Sequence, residues 1–172
     1  QPALTELNRT IKDPIHARAL QTLVEARRKD FELSPFAAWE DLDAYVDATA
    51  GVLLEICIEQ CAAPRGASEA FVTAAGRAWG YAGLLRAAPH WRARGRSALP
   101  QGASENDMLA RARDHFDVAR PMARDLPNEM FPAVGYLAFV PGYLRALQRG
   151  ASSYPLLMRQ GTLIAAAATG RL

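Results

Sequence analysis

Two aspartates four positions apart are the first residues in this sequence whose type and spacing could do chemistry. Asp43 and Asp47 follow the pattern Asp-x-x-x-Asp, and on a helix this spacing places both carboxylates on one face, one turn apart. Such a pair can bind Mg²⁺ and, through the metal, a diphosphate. The same residues, together with Glu40 and Asp41, also suit an acidic first turn that complements the helix dipole. The spacing alone leaves both interpretations open.

A basic segment further along the chain is the second candidate. Arg86, Arg92, Arg94 and Arg96 lie close together in the sequence, with Trp91 among them. Guanidinium groups form paired hydrogen bonds with phosphate and carboxylate oxygens. The segment could therefore hold a diphosphate, an anionic lipid surface or an acidic protein partner. A solvated loop of the same composition is the alternative.

Composition excludes several classes of protein. The 172 residues suit one domain. The chain has 20 Lys and Arg against 18 Asp and Glu, a net charge of +2, which is too balanced for a dedicated nucleic-acid binder. Two cysteines exclude a disulfide scaffold and favour a reducing compartment. No uninterrupted apolar run approaches about 18 residues, so the sequence predicts no transmembrane helix.

Apolar residues recur with the helical period in six segments, and no segment alternates with the period of two that strands show. The segment at about 39–61 becomes apolar nearly all round in its second half, which is typical of a central helix. We expect Pro89 to end the next helix and the residues up to 103 to form an irregular basic segment. The sequence therefore predicts an all-α bundle of about six or seven helices. The predicted helices cover about 14–31, 39–61, 69–88, 104–124, 127–150 and 154–169.

Taken in order, four pieces of these segments resemble the squalene/phytoene synthase family. Residues 25–31, Glu-Ala-Arg-Arg-Lys-Asp-Phe, are similar to the family's Gly-Met-x-x-Asp stretch. Residues 39–51 are similar to its helix L-x-x-Y-x-x-x-V-A-G. Residues 80–86, and then Gly-Arg-Ser-Ala-Leu-Pro at 95–100, are similar to its Q-L-T-N-I-L-R-D segment and the G-R-x-Y-L-P that follows. The resemblance implies the all-α isoprenoid synthase fold, which agrees with the predicted helices.

The family joins two prenyl diphosphates head to head, with two acidic motifs that face each other across a cavity and hold Mg²⁺ on the diphosphate. An apolar, water-free pocket protects the carbocation. The resemblance places the second acidic motif directly after Arg86, where this sequence has Ala87-Ala-Pro-His-Trp91 and no carboxylate. It places the family's Gln and Asn at Gly80 and Gly83. The resemblance therefore implies that the metal ligands and the diphosphate clamp are lost.

One branch of this superfamily, the mitochondrial assembly factors for respiratory complex I, has a degenerate second motif of the same kind. Its segment is similar to residues 85–89 here, Leu-Arg-Ala-Ala-Pro, followed by basic residues and by Leu-Pro at 99–100. The resemblance implies a non-catalytic protein without a cofactor. Such a protein would use an apolar cavity or a basic rim to bind a lipid, an isoprenoid diphosphate or a respiratory-complex assembly partner. We expect anion contacts from Arg86, Arg92, Arg94 and Arg96, and a cavity lined or bordered by Tyr45, Thr49, Leu53 and Tyr81.

Two alternatives stay open. The first is a Mg²⁺-dependent prenyltransferase that condenses farnesyl or geranylgeranyl diphosphate, in which Asp43 and Asp47 would be unusual metal ligands. The second is a structural subunit of a larger assembly, which a large exposed apolar patch would favour.

The resemblance also bears on the extent of the chain and on its location. The family's first acidic motif should lie upstream of Asp13, and no such motif is present there. We therefore expect one squalene/phytoene synthase-like domain over residues 1–172 that lacks its N-terminal helices. We expect it in the cytoplasm, peripheral at the inner membrane, in a bacterium, and in the mitochondrial matrix in a eukaryote.

Overall fold

A computed structural model describes residues 14–32, 34–61, 67–151 and 154–170. Most residues in these ranges lie in helices, and the β-structure within them is limited to one isolated bridge between Phe36 and Pro100. The all-α prediction is confirmed. Several helical segments continue one another directly, so the described part of the chain forms six helical rods, which agrees with the predicted number.

The rods contain eight α-helical segments in the described ranges. The long helix predicted at 39–61 consists of α2, a π-helical segment at Asp47–Gly51, and α3. A 3-10 segment at Arg27–Phe31 extends α1, and another at Gly135–Phe139 joins α6 to α7. The bounds are α1 Pro14–Ala26, α2 Trp39–Val46, α3 Val52–Glu59, α4 Glu69–Arg92, α5 Glu105–Met122, α6 Phe131–Val134, α7 Val140–Gln148 and α8 Leu156–Thr169.

The central helix of the bundle is α4, and not the 39–61 helix that the sequence favoured. Nine of the 24 residues of α4 are buried, and the helix contacts α5, α7 and the π segment. In α3, by contrast, only Leu54 and Ile58 are buried. The physical reason is side-chain size, because the many alanines and glycines of α4 let neighbouring helices approach on several sides.

Two glycines of α4 show how close this approach is. A Cβ atom placed on Gly76 would lie 2.8 Å from the Cα of Gly51 in the π segment. A Cβ atom on Gly80 would lie 2.4 Å from Val46 Cγ1. At both positions α4 therefore packs directly against the 39–59 rod, with no room for a side chain.

The helix α4 also runs further than predicted. Pro89 does not end it, and helical structure continues to Arg92. A proline in the last turn removes only one hydrogen bond, to the carbonyl four residues earlier. Trp91 packs against the hydrophobic core, which stabilises the final turn. The irregular basic segment therefore begins after Arg92.

One stretch of the described residues is long and apolar enough to cross a membrane. It covers Asn128–Gln148, with a mean hydropathy of 1.2. However, 61% of the window is buried inside the protein, and the stretch is divided into α6, α7 and 3-10 segments. Core helices of folded proteins have the same character, so this is weak evidence for a membrane span.

Candidate functional site

Asp43 and Asp47 form one polar cluster with Arg77 of α4. The Arg77 guanidinium donates from Nε and Nη2 to the two carboxylate oxygens of Asp47, at 2.9 and 2.7 Å. It donates from Nη1 to Asp43 Oδ2 at 3.0 Å, and the Tyr81 hydroxyl donates to the other oxygen of Asp43. We call these four residues the Arg77 cluster. Every oxygen of the two carboxylates accepts a hydrogen bond from within the protein.

This geometry bears directly on the metal hypothesis for the two aspartates. The Arg77 guanidinium lies between the carboxylates, where a cation bound by both would lie. The pKa of Arg77 is raised, mainly by its hydrogen bond to Asp47, so the group stays charged. Within the described ranges, no three His, Cys, Asp or Glu side chains come together to hold a metal ion. The two aspartates therefore form ion pairs with Arg77, and these ion pairs join α2 and the π segment to α4.

His115 of α5 lies beside the Arg77 cluster. Its ring lies 5.8 Å from the ring of Tyr81, centroid to centroid. Burial is the main cause that lowers the pKa of His115, and the positive charge of Arg77 lowers it further. The imidazole is therefore neutral at neutral pH.

The opposite face of the 39–59 rod borders a cavity of about 290 Å³. Tyr45 and Thr49 line it, and the 3-10 segment Arg27–Phe31 contributes Arg27 and Asp30. Helix α4 contributes residues spaced three or four positions apart, which lie on one helical face. These are Gly80, Gly83, Ala87 and Trp91.

A hydrogen-bonded network forms part of the lining of this cavity. The Tyr45 hydroxyl donates to Asp30 Oδ1 at 2.6 Å and accepts from Arg27 Nη1 at 2.9 Å. Arg27 also pairs with the second oxygen of Asp30, at 3.3 Å. Burial, and then the hydrogen bond to Asp30, raise the pKa of Tyr45 well above its ordinary value. The phenol therefore stays protonated and holds the 3-10 segment against α2.

A second, smaller recess of about 120 Å³ adjoins the cavity. Its lining is Asp30, Trp91, Arg94 and Arg96, and we call it the arginine recess. The chain reverses tightly after α4, because Gly95 has a φ of +68°. The backbone N–H groups of Arg94 and Arg96 both donate to the carbonyl of Trp91, at 2.9 and 3.0 Å. This turn brings the two guanidinium groups beside Trp91.

The four predicted anion-contact arginines therefore do not form one surface. Arg94 and Arg96 share the recess. Arg86 stacks on the ring of Tyr143, with its guanidinium carbon 4.0 Å from the ring centroid. Arg92 pairs with Glu105 at 3.1 Å. Their roles in binding stay predictions.

The predicted cavity residues divide in the same way. Tyr45 and Thr49 line the 290 Å³ cavity. Tyr81 is fully buried in the Arg77 cluster, and Leu53 is 43% exposed on α3; neither lines this cavity. The helical period does not fix how a helix is rotated toward its neighbours, so it could not separate these two pairs.

Sequence reasoning did not single out Arg27 or Trp79, which also line the cavity. Trp79 packs against Tyr136 and Tyr143, with ring centroids 4.6 and 6.2 Å apart. Its position four residues before Gly83 could have indicated it, because helical residues spaced by four lie on the same face. Arg27 precedes Asp30 by three residues, which is a spacing typical of an ion pair on a helix.

Comparison with known proteins identifies the class of protein to which this fold and site correspond. The model of the squalene/phytoene synthase family matches residues 1–106. This is more than half of the 172 residues, and the chain belongs to this family.

Several mammalian proteins that share one name are 24–26% identical to this chain. A Mus musculus protein named "NADH dehydrogenase (ubiquinone) complex I, assembly factor 6" is 26% identical over 87% of this chain and 52% of its own length. The Homo sapiens protein of the same name is 24% identical over 95% of this chain and 57% of its own length. The chain spans about half the length of these curated relatives. No solved structure matches it significantly.

Because the chain belongs to this family, the α4 residues of the cavity wall can be compared with the family's motif positions. Four of the α4 residues on its wall are those that the resemblance places at the family's Gln, Asn and two Asp positions. In this chain they are Gly80, Gly83, Ala87 and Trp91. The α4 side of the cavity therefore carries small or aromatic side chains at the four positions where the resemblance implies polar groups.

Proposed function

We propose that this chain is a non-catalytic member of its family that takes part in the assembly of respiratory complex I. The observation that carries the proposal is the presence of Ala87 and Trp91 on the cavity wall, at the two ends of the second acidic motif. Neither side chain can coordinate Mg²⁺, which takes oxygen ligands. The relatives named as complex I assembly factors support the same role.

An exposed apolar area supports a role with a partner. Soluble monomers seldom expose large contiguous apolar patches. Leu157 is 81% exposed and Ile164 is 69% exposed, and at seven positions apart they lie on one face of α8. The exposed large apolar residues of α8 are Leu156, Leu157, Met158, Leu163 and Ile164.

The proposed role places the protein where respiratory complex I is assembled. We propose a peripheral contact with the inner membrane, on the cytoplasmic side in a bacterium or on the matrix side in a mitochondrion. No cofactor enters the proposed role, because the cavity wall contributed by α4 has no metal-binding oxygen on its side chains.

Deletion and complementation test the proposed function. The gene is deleted in its own organism, and NADH:ubiquinone oxidoreductase activity of the membranes is measured together with complex I on native gels. We expect both to fall and to recover when the full chain is supplied again. Normal complex I in the deletion strain would contradict the assembly role.

Turnover measurements test the non-catalytic part separately. Farnesyl and geranylgeranyl diphosphate are incubated with the full chain and Mg²⁺, and pyrophosphate release is followed. We expect release at background level, since no carboxylates hold the metal at positions 87 and 91. Release above background would restore the prenyltransferase alternative, and Asp43→Asn and Asp47→Asn would then be the first variants to examine.

A further inference from the structure

Helix α8 presents an apolar surface that no other described element covers. The helix packs on the 3-10 segment Gly135–Phe139, and Ala166 is its only buried residue. Arg159 and Thr162 are half-buried on the same side, since positions three, four and seven apart share a helical face. We call this side the inner side of α8 and the exposed remainder its outer side. Apolar surface of this kind marks contact with a protein or with a membrane.

The width of the outer side favours lipid over a single partner helix. Its exposed large apolar residues spread over roughly 220° of the circumference, at about 100° per residue. These residues are Leu156, Leu157, Met158, Leu163 and Ile164. A partner helix contacts a stripe of about 100°, whereas acyl chains surround whatever part of a helix they reach. The only charged residue at positions 156–170 is Arg159, on the inner side, so the outer side has no charged side chain.

The length of α8 determines how it fits a bilayer. Its 14 residues extend about 21 Å at about 1.5 Å per residue, and the hydrocarbon core of a bilayer is about 30 Å thick. The helix is therefore too short to cross the core, and its inner side is attached to the rest of the protein. These properties fit a helix that lies along the membrane surface, with its apolar side chains among the outermost parts of the acyl chains.

Two arginines beside the inner side of α8 indicate which lipid headgroups fit. The Arg159 Nη1 atom donates to the Tyr143 hydroxyl at 3.3 Å, and the Arg86 guanidinium stacks on the ring of the same tyrosine. Neither arginine has a carboxylate partner among the described residues. When a helix inserts its outer side, groups on its inner side lie at the level of the headgroups. Anionic headgroups attract arginines at that level.

We propose that α8 inserts its outer side into the surface of an anionic lipid bilayer, with Arg86 and Arg159 facing the headgroup phosphates. The inference rests on the proposed function, since it names the surface that makes the proposed membrane contact and the lipid charge that this contact requires. The occupant of the surface is a bilayer, and the cavity between α4 and the 39–59 rod takes no part in the contact.

Flotation of the full chain with lipid vesicles in a density gradient tests the proposal. Two compositions are compared, phosphatidylcholine alone and equal parts of phosphatidylcholine and phosphatidylglycerol. We expect binding to the mixed vesicles to be at least about tenfold tighter, because each of two arginines near an anionic surface contributes about fivefold. Absence of flotation with the mixed vesicles, or equal flotation with both compositions, would overturn the proposal.

A charge placed on the outer side assigns the binding to α8. Ile164 is 69% exposed, so Ile164→Glu should leave the fold intact and weaken binding to the mixed vesicles by at least about tenfold, because the buried apolar side chain is lost. Val118→Glu is the matched control, since Val118 is an apolar residue of α5 that is 54% exposed. We expect it to weaken binding by less than about fivefold, the effect of one charge. Equal losses in the two variants would overturn the assignment to α8.

Removal of one arginine tests the contact with the headgroups. Arg86→Gln should weaken binding to the mixed vesicles about fivefold and leave binding to phosphatidylcholine alone unchanged. Arg92→Gln removes the same charge from a residue that is paired with Glu105, and we expect a smaller effect from it. Equal effects of the two variants would show attraction by net charge alone and would overturn the place of Arg86 in the proposal.

Sedimentation velocity of the full chain without lipid tests a second copy as the alternative occupant. We expect a monomer, because the outer side of α8 is reserved for lipid. A dimer that Ile164→Glu dissociates would assign this surface to a second copy of the chain and overturn the proposal.

Complementation of the deletion strain separates this inference from the proposed function. A chain that restores complex I but binds no vesicles would contradict this inference alone. Binding to the mixed vesicles without restoration of complex I would contradict the proposed function alone. If Ile164→Glu fails to restore complex I although the unmodified chain binds no vesicles, the outer side of α8 docks on a protein, and the lipid proposal is overturned.

Discussion

The two faces of the 39–59 rod treat their polar groups in opposite ways. On one face, the Arg77 cluster gives every carboxylate oxygen of Asp43 and Asp47 a donor. On the other face, the cavity adjoins the arginine recess, in which Arg94 has no carboxylate partner among the described residues and Arg96 donates to backbone carbonyls. The Asp-x-x-x-Asp motif at Asp43 and Asp47 therefore joins two helices. The candidate binding site instead lies where the sequence departs from the family's second acidic motif, at Ala87 and Trp91.

Removal of Arg77 should lower the free energy of unfolding more than any other change considered below. Arg77→Ala leaves Asp43 and Asp47 without their shared donor. Breaking a buried ion pair costs about 3–5 kcal/mol, whereas an exposed pair contributes about 0–1 kcal/mol. Because the side chains of Arg77 and Asp43 are 23% and 18% exposed, we expect the free energy of unfolding to fall by about 2 kcal/mol. Urea denaturation measures this change.

An exposed pair elsewhere provides the matched control for that variant. Arg92 and Glu105 are 63% and 43% exposed, so Arg92→Ala should cost less than about 1 kcal/mol. Asp47→Asn in the Arg77→Ala background should recover part of the loss, since it removes an unpaired charge. If Arg77→Ala cost no more than Arg92→Ala, the Arg77 cluster would be an ordinary surface ion pair, and the contrast between the two faces would disappear.

The fold was largely predictable because its signals are local. Helical periodicity, together with proline and glycine positions, located all six rods to within a few residues. Pro89 was the main exception, since the contact of Trp91 with the core outweighs the missing hydrogen bond. The π segment Asp47–Gly51 was also missed, because a one-residue widening of a helix leaves the apolar pattern readable as ordinary helix.

The candidate site was predictable only in part. The family resemblance located Ala87 and Trp91, because their places in the motif are fixed by sequence order. The partner of Asp43 was not predictable, since Arg77 lies 34 positions away and the contact depends on how two helices are rotated. Exposure of Leu53 was missed for the same reason. Helix rotation is set by packing over the whole bundle, and no short stretch of sequence records it.

Two glycine substitutions in α4 should have intermediate effects on stability. They compare a position packed against the 39–59 rod with a position that faces the cavity. Gly76→Ala places a Cβ 2.8 Å from the Gly51 backbone, which cannot rotate away, and overpacking of this kind costs about 1–3 kcal/mol. Gly83→Ala faces the cavity and meets no atom within 4 Å, so it should stabilise the helix by about 0.5–1 kcal/mol. Thermal and urea denaturation of the two variants should give opposite signs. The same sign in both would show that α4 is equally free, or equally packed, along these two faces.

The pH dependence contributed by His115 should be the smallest of these effects, and its sign follows from the lowered pKa of this residue. The pKa of His115 is lowered by burial and by Arg77, so below about pH 6.5 the unfolded chain takes up a proton before the folded chain does. The stability that the neutral imidazole contributes is therefore complete above that pH and is lost as the pH falls. For a half-buried group we expect this loss to stay below about 1 kcal/mol. His115→Gln should remove this pH dependence from denaturation curves measured between pH 7 and pH 5.

Arg77→Ala should raise the pKa of His115 in an NMR titration of the imidazole, because a nearby positive charge is gone while Asp43 remains. An unchanged titration would mean that the field of the Arg77 cluster does not reach His115, and that burial alone lowers its pKa.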